Sequence, residues 1–513
     1  MKEKILWADD EIDLLKPHIL FLNAKGYEIE TVSNGADALD ALDAGDISLV
    51  LLDENMPGLS GLETLTRINQ SHPDIPVIMI TKSEEENIMN QAIGNKITDY
   101  LIKPVNPMQI LLSLKKNLHS AKIIAEQTSS SYMHDFQKIS SDINSASSLE
   151  DWMDCYRQLV YWEMKLSDSD SNMDEMLLMQ KKDANFNFAK FVKRNYESWL
   201  NSDSKPLMSP DIFSKRVFPL LDKGEKVCFI LIDNFRLDQW RSVQPMLSEY
   251  FNVSEELYTT ILPTSTQYAR NAIFSGLMPL KIHEMFPNLW VDEDEDEGLN
   301  NHEEELIGTM LERYRRKDKF TYTKLNDSTA SEKFLAKIKT IKDVPLNVIV
   351  LNFIDMLSHA RTESKMIREL ANTDAAYRSL TESWFRHSNT ADMFRQLADM
   401  GFKVILTTDH GTIKVDNPIK VIGDRNTNTN LRYKVGKNLN YNPKQVYEMK
   451  DPRKFGLPSP NLSSTFIFAT NEDFFSYPNN YNYYVQYYTG TFQHGGISLQ
   501  EMLVPLVTLT PKR

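Results

Sequence analysis

The sequence predicts a multidomain α/β protein in which two sheet-bearing ends are joined by an all-helical middle. Three observations carry this. Over the first 120 residues, short apolar strands alternate with amphipathic segments, the pattern of a doubly wound parallel sheet. From about 121 to 205 the strand signals stop. Beyond 206, apolar runs appear again and three of them lead into an acid. At 513 residues a single core is not expected, because domains average about 150 residues. The divisions expected are 1–120, 121–205 and 206–513.

Composition narrows the function. Hydrophobic content of 41% and charged content of 25% are those of a soluble globular chain. The first ten residues lack the apolar core of a signal peptide, and no run approaches the roughly 20 apolar residues that span a bilayer. A cytoplasmic location without membrane insertion is expected. The two cysteines, Cys155 and Cys228, exclude a disulfide framework and a cysteine-rich zinc site. A net charge of -14 and a pI near 5.3 oppose binding to the phosphate backbone of duplex DNA.

In the first region Lys4 to Ala8 leads to Asp9-Asp10, Leu49 to Leu52 to Asp53, Val77 to Ile80 to Thr81, and Tyr100 to Ile102 to Lys103-Pro104. In parallel α/β sheets, ligands bind outside the carboxyl ends of the strands. Three carboxylates there suit Mg²⁺, and a lysine and a hydroxyl beside them suit a phosphoryl group. With the loop Asn55-Met56-Pro57-Gly58-Leu59-Ser60-Gly61, Thr81, Tyr100 and Lys103-Pro104 in this order, residues 1 to 120 resemble the receiver domain of bacterial response regulators. That resemblance implies a flavodoxin-like five-stranded parallel sheet. It implies that Asp53 accepts phosphate from a sensor histidine kinase and that Asp9, Asp10, Asp53 and the Asn55 carbonyl hold Mg²⁺. Thr81 and Tyr100 would switch, and Lys103 would bond the phosphoryl oxygens.

In the middle region, Thr128-Ser129-Ser130-Ser131 suggests a break in helix, and Ser147-Ser148-Leu149-Glu150 has capping-box spacing. The helix so opened carries an apolar stripe of Trp152, Tyr156, Leu159 and Val160. A second stripe comprises Phe186, Phe188, Phe191, Val192, Tyr196, Trp199 and Leu200. A small helical bundle follows, its aromatics serving as core or dimer contacts.

In the last region Val227 to Ile232 ends at Asp233, Asn347 to Ile354 at Asp355 with His359 beyond, and Lys403 to Leu406 delivers Asp409-His410 into a turn at Gly411. His494 stands in Gln493-His494-Gly495-Gly496. These ligands suffice for two metals, and mixed carboxylate and imidazole donors favour Zn²⁺. Pro263-Thr264-Ser265-Thr266 precedes a helical stretch, Gln267 to Ser275, closed by Gly276. A hydroxyl at a helix amino terminus beside a metal can act as a nucleophile at phosphorus.

This order of motifs resembles the alkaline phosphatase superfamily, and within it the PglZ branch. The resemblance implies an α/β sandwich and a metal-dependent phosphodiesterase or phosphatase. It implies one zinc on Asp233, Asp409, His410 and the nucleophile, and a second on Asp355, His359 and His494. By the Pro-Thr-x-Thr pattern and the Ser275-Gly276 turn, Thr266 is the nucleophile expected, with Thr264 the alternative. Thr266-Gln267-Tyr268-Ala269-Arg270 lacks the sulfatase signature. The acidic run Asp292 to Glu297 is read as a solvated loop. Tyr477, Tyr481, Tyr483, Tyr484, Tyr487 and Tyr488 could stack bases or form a core or interface surface.

A receiver ahead of a PglZ domain, with a helical connector, resembles the response regulators of type IX secretion. The resemblance implies a role in secretion or gliding and contact with a sigma factor or secretion component. Two functions are therefore expected as alternatives. One is a dizinc phosphodiesterase acting on nucleotides or oligonucleotides, with phosphorylation driving a homodimer. The other is a non-catalytic adaptor with a structural metal site.

Overall fold

Short apolar runs stopped by a polar residue make buried strands, and five of them build the first sheet of this computed structural model. The structure describes residues 2–82, 86–168, 173–202, 205–291, 301–423, 427–459 and 463–512. Strands β1 (Lys4–Ala8), β2 (Glu28–Val32), β3 (Leu49–Leu52), β4 (Val77–Thr81) and β5 (Asp99–Ile102) are parallel, in the order β2-β1-β3-β4-β5. One apolar layer holds Leu6, Val50, Met79 and Leu65, and the other holds Trp7, Leu51, Ile80 and Leu114. Alternate residues of each strand thus face opposite layers.

The chain forms two compact units, one comprising Met1–Ser130 and the second beginning at Ser131. The break expected at Thr128 to Ser131 is absent: a single helix runs Pro107–Ser145, and the boundary expected at 120/121 falls inside it. Serine and threonine cost a helix only tenths of a kcal/mol each. Packing of the following turn offsets that, since Tyr132 is fully buried and donates to Gln180 Oε1 at 2.7 Å.

The capping box also lies one residue on from the expected one. Ser148 caps the helix Leu149–Ser167 and pairs with Asp151, while Ser147 donates to the same carboxylate. The stripe of Trp152, Tyr156, Leu159 and Val160 is buried. On the helix Asp174–Asn201, Phe188, Val192, Tyr196 and Trp199 are buried, but Phe186 is exposed and lies under Lys190 Nζ at 3.8 Å. Phe186 is two residues from Phe188, and a helix turns such a pair to different faces. These helices share one core with the sheet that follows, so no separate core marks the boundary expected at 205/206.

That sheet contains β6 (Val227–Ile232), β7 (Phe251–Thr259), β8 (Phe320–Leu325), β9 (Leu346–Leu351) and β10 (Lys403–Thr407). Beyond it come β11 (Ile413–Lys414), β12 (Asn417–Lys420), β13 (Tyr433–Gly436), β14 (Tyr447–Met449), β15 (Thr465–Phe468), β16 (Asp473–Ser476), β17 (Phe492–Gln493) and β18 (Leu503–Pro511). The six-stranded order is β7-β18-β10-β6-β9-β8. β8, β9, β6 and β10 are parallel, and β18 pairs antiparallel with both β10 and β7, so β7 runs in the same direction as the other four. β6 and β9 are buried along their whole length, as strands covered on both faces are. Small sheets formed by β11 and β17, by β12 and β16, and by β13, β15 and β14 lie after the carboxyl end of β10.

Candidate functional site

Because β10, β6 and β9 are parallel neighbours, their carboxyl ends open at one edge. Asp233 directly follows β6, and Asp409 lies two residues beyond β10; both are buried. Asp355 departs from the expectation. The run Asn347 to Ile354 is not one strand, because a helix, Phe353–Glu363, takes over after β9. That helix opens on apolar Phe353 and Ile354, so hydrophobicity alone hides the switch. Asp355 therefore sits in the first helical turn, with His359 one turn on along the same face.

The ligand atoms of Asp233, Asp409 and His410 lie within 4.8 Å of one another, as do those of Asp355, His359 and His494. The two triads adjoin. The His410 and His494 rings stack at 4.2 Å between centroids. Asn234 reaches both triads: its Nδ2 donates to Asp355 Oδ1 at 3.3 Å and its backbone N–H to Asp409 Oδ1 at 3.4 Å.

Backbone carbonyls fix the imidazoles. His410 Nδ1 donates to the Gly411 carbonyl and His494 Nδ1 to the Thr264 carbonyl, each at 3.2 Å, so each ring directs Nε2 at its triad. Burial, with His410 beside it, pushes the His494 imidazole down to about 3 and keeps it in the neutral form that a metal requires. Gly411 admits the close approach of the Gln500 carbonyl, which a side chain would meet at 2.1 Å.

Thr266 opens the helix Thr266–Ser275, one residue earlier than expected, and Gly276 ends it in the left-handed region at φ 64°. Its Oγ lies 3.1 Å from His410 Nε2 and 3.5 Å from Asp233 Oδ1. Thr264 is differently placed. Its buried hydroxyl donates to the Gly496 carbonyl at 2.9 Å and accepts from the Gly495 N–H at 3.0 Å, tying the two loops together.

Arg270 had no role in the sequence reading beyond its place in the Thr266 segment. It is 1% exposed, and its Nε donates to Asp409 Oδ2 at 2.9 Å while Nη2 pairs with Asp233 Oδ2. On its other side Nη1 meets Glu303 Oε1 at 3.2 Å and Asn352 Oδ1 at 3.4 Å. Burial pushes the Asp233 carboxyl well above the usual carboxylate range, against the pull of Arg270. Burial acts the same way on Asp409, but there Arg270 and His410 prevail and hold the carboxyl low. One signal could have revealed this arginine: it stands four residues after Thr266, on the same helical face.

Mixed carboxylate and imidazole donors in two adjoining triads, the Asp233 one buried and the Asp355 one open to solvent at His359, fit zinc. A further group, Glu163, Asp238 and Asp374, does not fit a metal, because Lys181, Arg236 and Arg378 each contact two of its acids at 2.6 to 3.5 Å. The tyrosine-rich segment forms a helix, Tyr481–Tyr488, with no fully buried residue; Tyr488 packs partly buried against Ile413, Val415 and Phe474. Tyr483 stacks on Tyr487 and Tyr484 on Tyr488. The acidic run Asp292 to Glu297 lies outside the described residues.

In the first unit Asp9, Asp10 and Asp53 also bring their carboxylates within 4.8 Å. Lys103 Nζ bridges Asp9 at 2.7 Å and Asp53 at 2.9 Å. The Asn55 N–H donates to Asp53 Oδ2 at 3.0 Å, and the Lys103 N–H donates to the Thr81 carbonyl at 2.8 Å. Burial pushes the Asp53 carboxyl up, with Lys103 opposing. Tyr100 is half-buried on β5.

Comparison with known proteins agrees with this layout. The response regulator receiver domain matches residues 5–115, the PorX response regulator linker domain residues 122–200, and the BREX system PglZ alkaline phosphatase-like domain residues 212–509. The transcriptional regulatory protein SrrA of Staphylococcus aureus is 27% identical over 135 residues, 26% of this chain and 56% of SrrA, so the chain spans about half the length of the curated relatives it matches. Among solved structures, a CheY-like receiver domain protein of Methanospirillum hungatei is 26% identical and covers 23% of this chain and 96% of its own, at a TM-score of 0.23. The receiver domain of NtrX from Brucella abortus is 31% identical and covers 22% and 97%, at 0.22. With the PglZ match spanning more than half of its length behind a receiver and that linker, the chain belongs to the PglZ alkaline phosphatase-like family and is a PorX-type response regulator.

Proposed function

We propose that the chain is a phosphorylation-controlled, two-zinc phosphodiesterase of the cytoplasm, acting on nucleotides or oligonucleotides in the control of type IX secretion or gliding. One observation carries this reading: the Thr266 hydroxyl, at a helix amino terminus, lies 3.1 Å from His410 and 3.5 Å from Asp233, with a second triad adjoining. Zinc ions held by Asp233, Asp409, His410 and Thr266, and by Asp355, His359 and His494, would supply Lewis acidity towards the phosphoryl and leaving oxygens.

The chain's own groups account for the rest. Thr266 Oγ attacks phosphorus, an Oγ–P bond forms, and the bond to the leaving alcohol breaks as that alcohol takes up the proton that threonine lost. Water then cleaves the phosphothreonine and restores the hydroxyl. His410 and His494, anchored through Nδ1, keep their Nε2 atoms directed at the site. Backbone N–H groups at the start of the helix favour the anionic phosphate. In the first unit Asp53 receives a phosphoryl group from a sensor histidine kinase. Lys103 then bonds the phosphoryl oxygens, and Asp9, Asp10, Asp53 and the Asn55 carbonyl would hold Mg²⁺. Thr81 and Tyr100 transmit the change, and phosphorylation promotes a homodimer.

The test is hydrolysis of bis-p-nitrophenyl phosphate and of short linear and cyclic oligonucleotides by the zinc-loaded protein. Thr266→Ala is expected to lower kcat at least about 1,000-fold. Equal rates in the two proteins would refute the nucleophile. A second reading is a non-catalytic adaptor that binds a sigma factor or secretion component. It draws support from Arg270, which already pairs the Asp233 and Asp409 carboxylates with a protein cation. Zinc-loaded protein with no turnover before or after the substitution would favour this second reading.

A further inference from the structure

The two triads differ in their carboxylates. One holds two, Asp233 and Asp409, beside His410, whereas the other holds one, Asp355, beside His359 and His494. Arg270 offsets the difference. It takes Oδ2 of both Asp233 and Asp409 and leaves Asp233 Oδ1 facing Thr266 and His410. The guanidinium has no route out, being 1% exposed and held from behind by Glu303 and Asn352. Glu303 is itself tied to Lys324 Nζ at 3.0 Å and to the Tyr322 hydroxyl. A cation fixed so firmly stays in place when a second cation arrives.

We propose that Arg270 is a positioning residue that sets the charge of the Thr266-side triad, weakening its hold on a divalent metal to match the neighbouring triad and orienting its two carboxylates when no metal is bound. This rests on the reading of the triads as metal sites. A buried carboxylate pair without a countercharge is strongly destabilising, so the arginine keeps the pocket assembled. The same charge repels an incoming ion, and buried charges a few ångströms apart interact strongly. With the triads balanced, both fill over one range of free zinc, and the site passes from empty to complete without a long-lived half-loaded form.

The experiment uses the full chain in a His494→Ala background, which disables the other triad. Zinc affinity is read by competition with a chromophoric chelator, and bound zinc is counted by native mass spectrometry. Arg270→Met and Arg270→Gln are expected to bind zinc at least tenfold more tightly than the parent, and Arg270→Lys within about threefold of it. A second measurement serves if the neutral variants lose stability: zinc should raise their melting temperature more than it raises the parent's. Neutral variants that bind zinc no more tightly, and gain no larger shift, would overturn this proposal alone. A protein that binds no zinc before any substitution would overturn the metal reading together with it.

Discussion

In the first unit Lys103 bridges Asp9 and Asp53, and in the second Arg270 bridges Asp233 and Asp409; the contrast lies in how each cation is held. Both pockets set acids near the carboxyl ends of parallel strands and place one cation between two of them. Lys103 is 11% exposed, on a flexible stem, and is a point charge free to follow a phosphoryl group. Arg270 is a planar fork clamped on two sides. Surroundings, more than charge, decide whether a bridging cation can move with its partners or stays fixed.

The largest expected effect separates the pockets. Asp53→Ala should abolish phosphoryl incorporation from acetyl phosphate and the accompanying shift to dimer, read by intact mass and light scattering. Its zinc content should remain that of the unsubstituted protein. Incorporation at the original level would show that another residue accepts the phosphate.

An intermediate effect comes from an acid whose neighbouring cations, Arg432 and Lys193, do not offset its burial. Arg432, the arginine nearest Asp473, is committed to Glu501 at 2.6 Å, and burial pushes the Asp473 carboxyl up to about 6 from 3.8. A raised carboxyl favours the folded state while protonated, so the contribution is complete below pH 3.8 and is lost as pH rises through about 6. Asp473→Asn should therefore stabilise the protein above pH 7, by on the order of 2 kcal/mol, and leave it unchanged near pH 3.5. Urea unfolding at the two pH values measures this, and an equal gain at both would refute it.

The smallest effect belongs to the same chemistry at the surface. Lys122 and Glu126 lie 3.9 Å apart with side chains 77% and 68% exposed. Lys122→Met should change stability by less than about 0.5 kcal/mol, because water screens the pair. A larger loss by thermal unfolding would mean that burial is not what separates these ion pairs.

Much of the site was legible because its residues announce themselves locally. An apolar run ending on Asp233, Asp409-His410 before a glycine, and Pro263-Thr264-Ser265-Thr266 before a helix each need only a few neighbours in sequence. Arg270 and Asn234 were not legible, since their roles depend on partners 33 to 175 residues away. The same limit explains the misplaced break at Thr128 to Ser131. Local propensity argued for it, and the buried contact of Tyr132 with a helix some 48 residues on overrode it. Asp355 fell between these cases: its convergence with the other acids was foreseen, but its place on a helix was masked by apolar Phe353 and Ile354.

The stitch made by Thr264 has a consequence for any genetic dissection of this pocket. One hydroxyl joins the loop that leads to Thr266 to the loop that carries His494, so both follow wherever that stitch moves. Its loss would disturb the proposed nucleophile and a proposed metal donor at once, without Thr264 itself taking part in the reaction. Alanine scanning would then score two threonines alike, and only trapped phosphothreonine would tell the reagent from the seam.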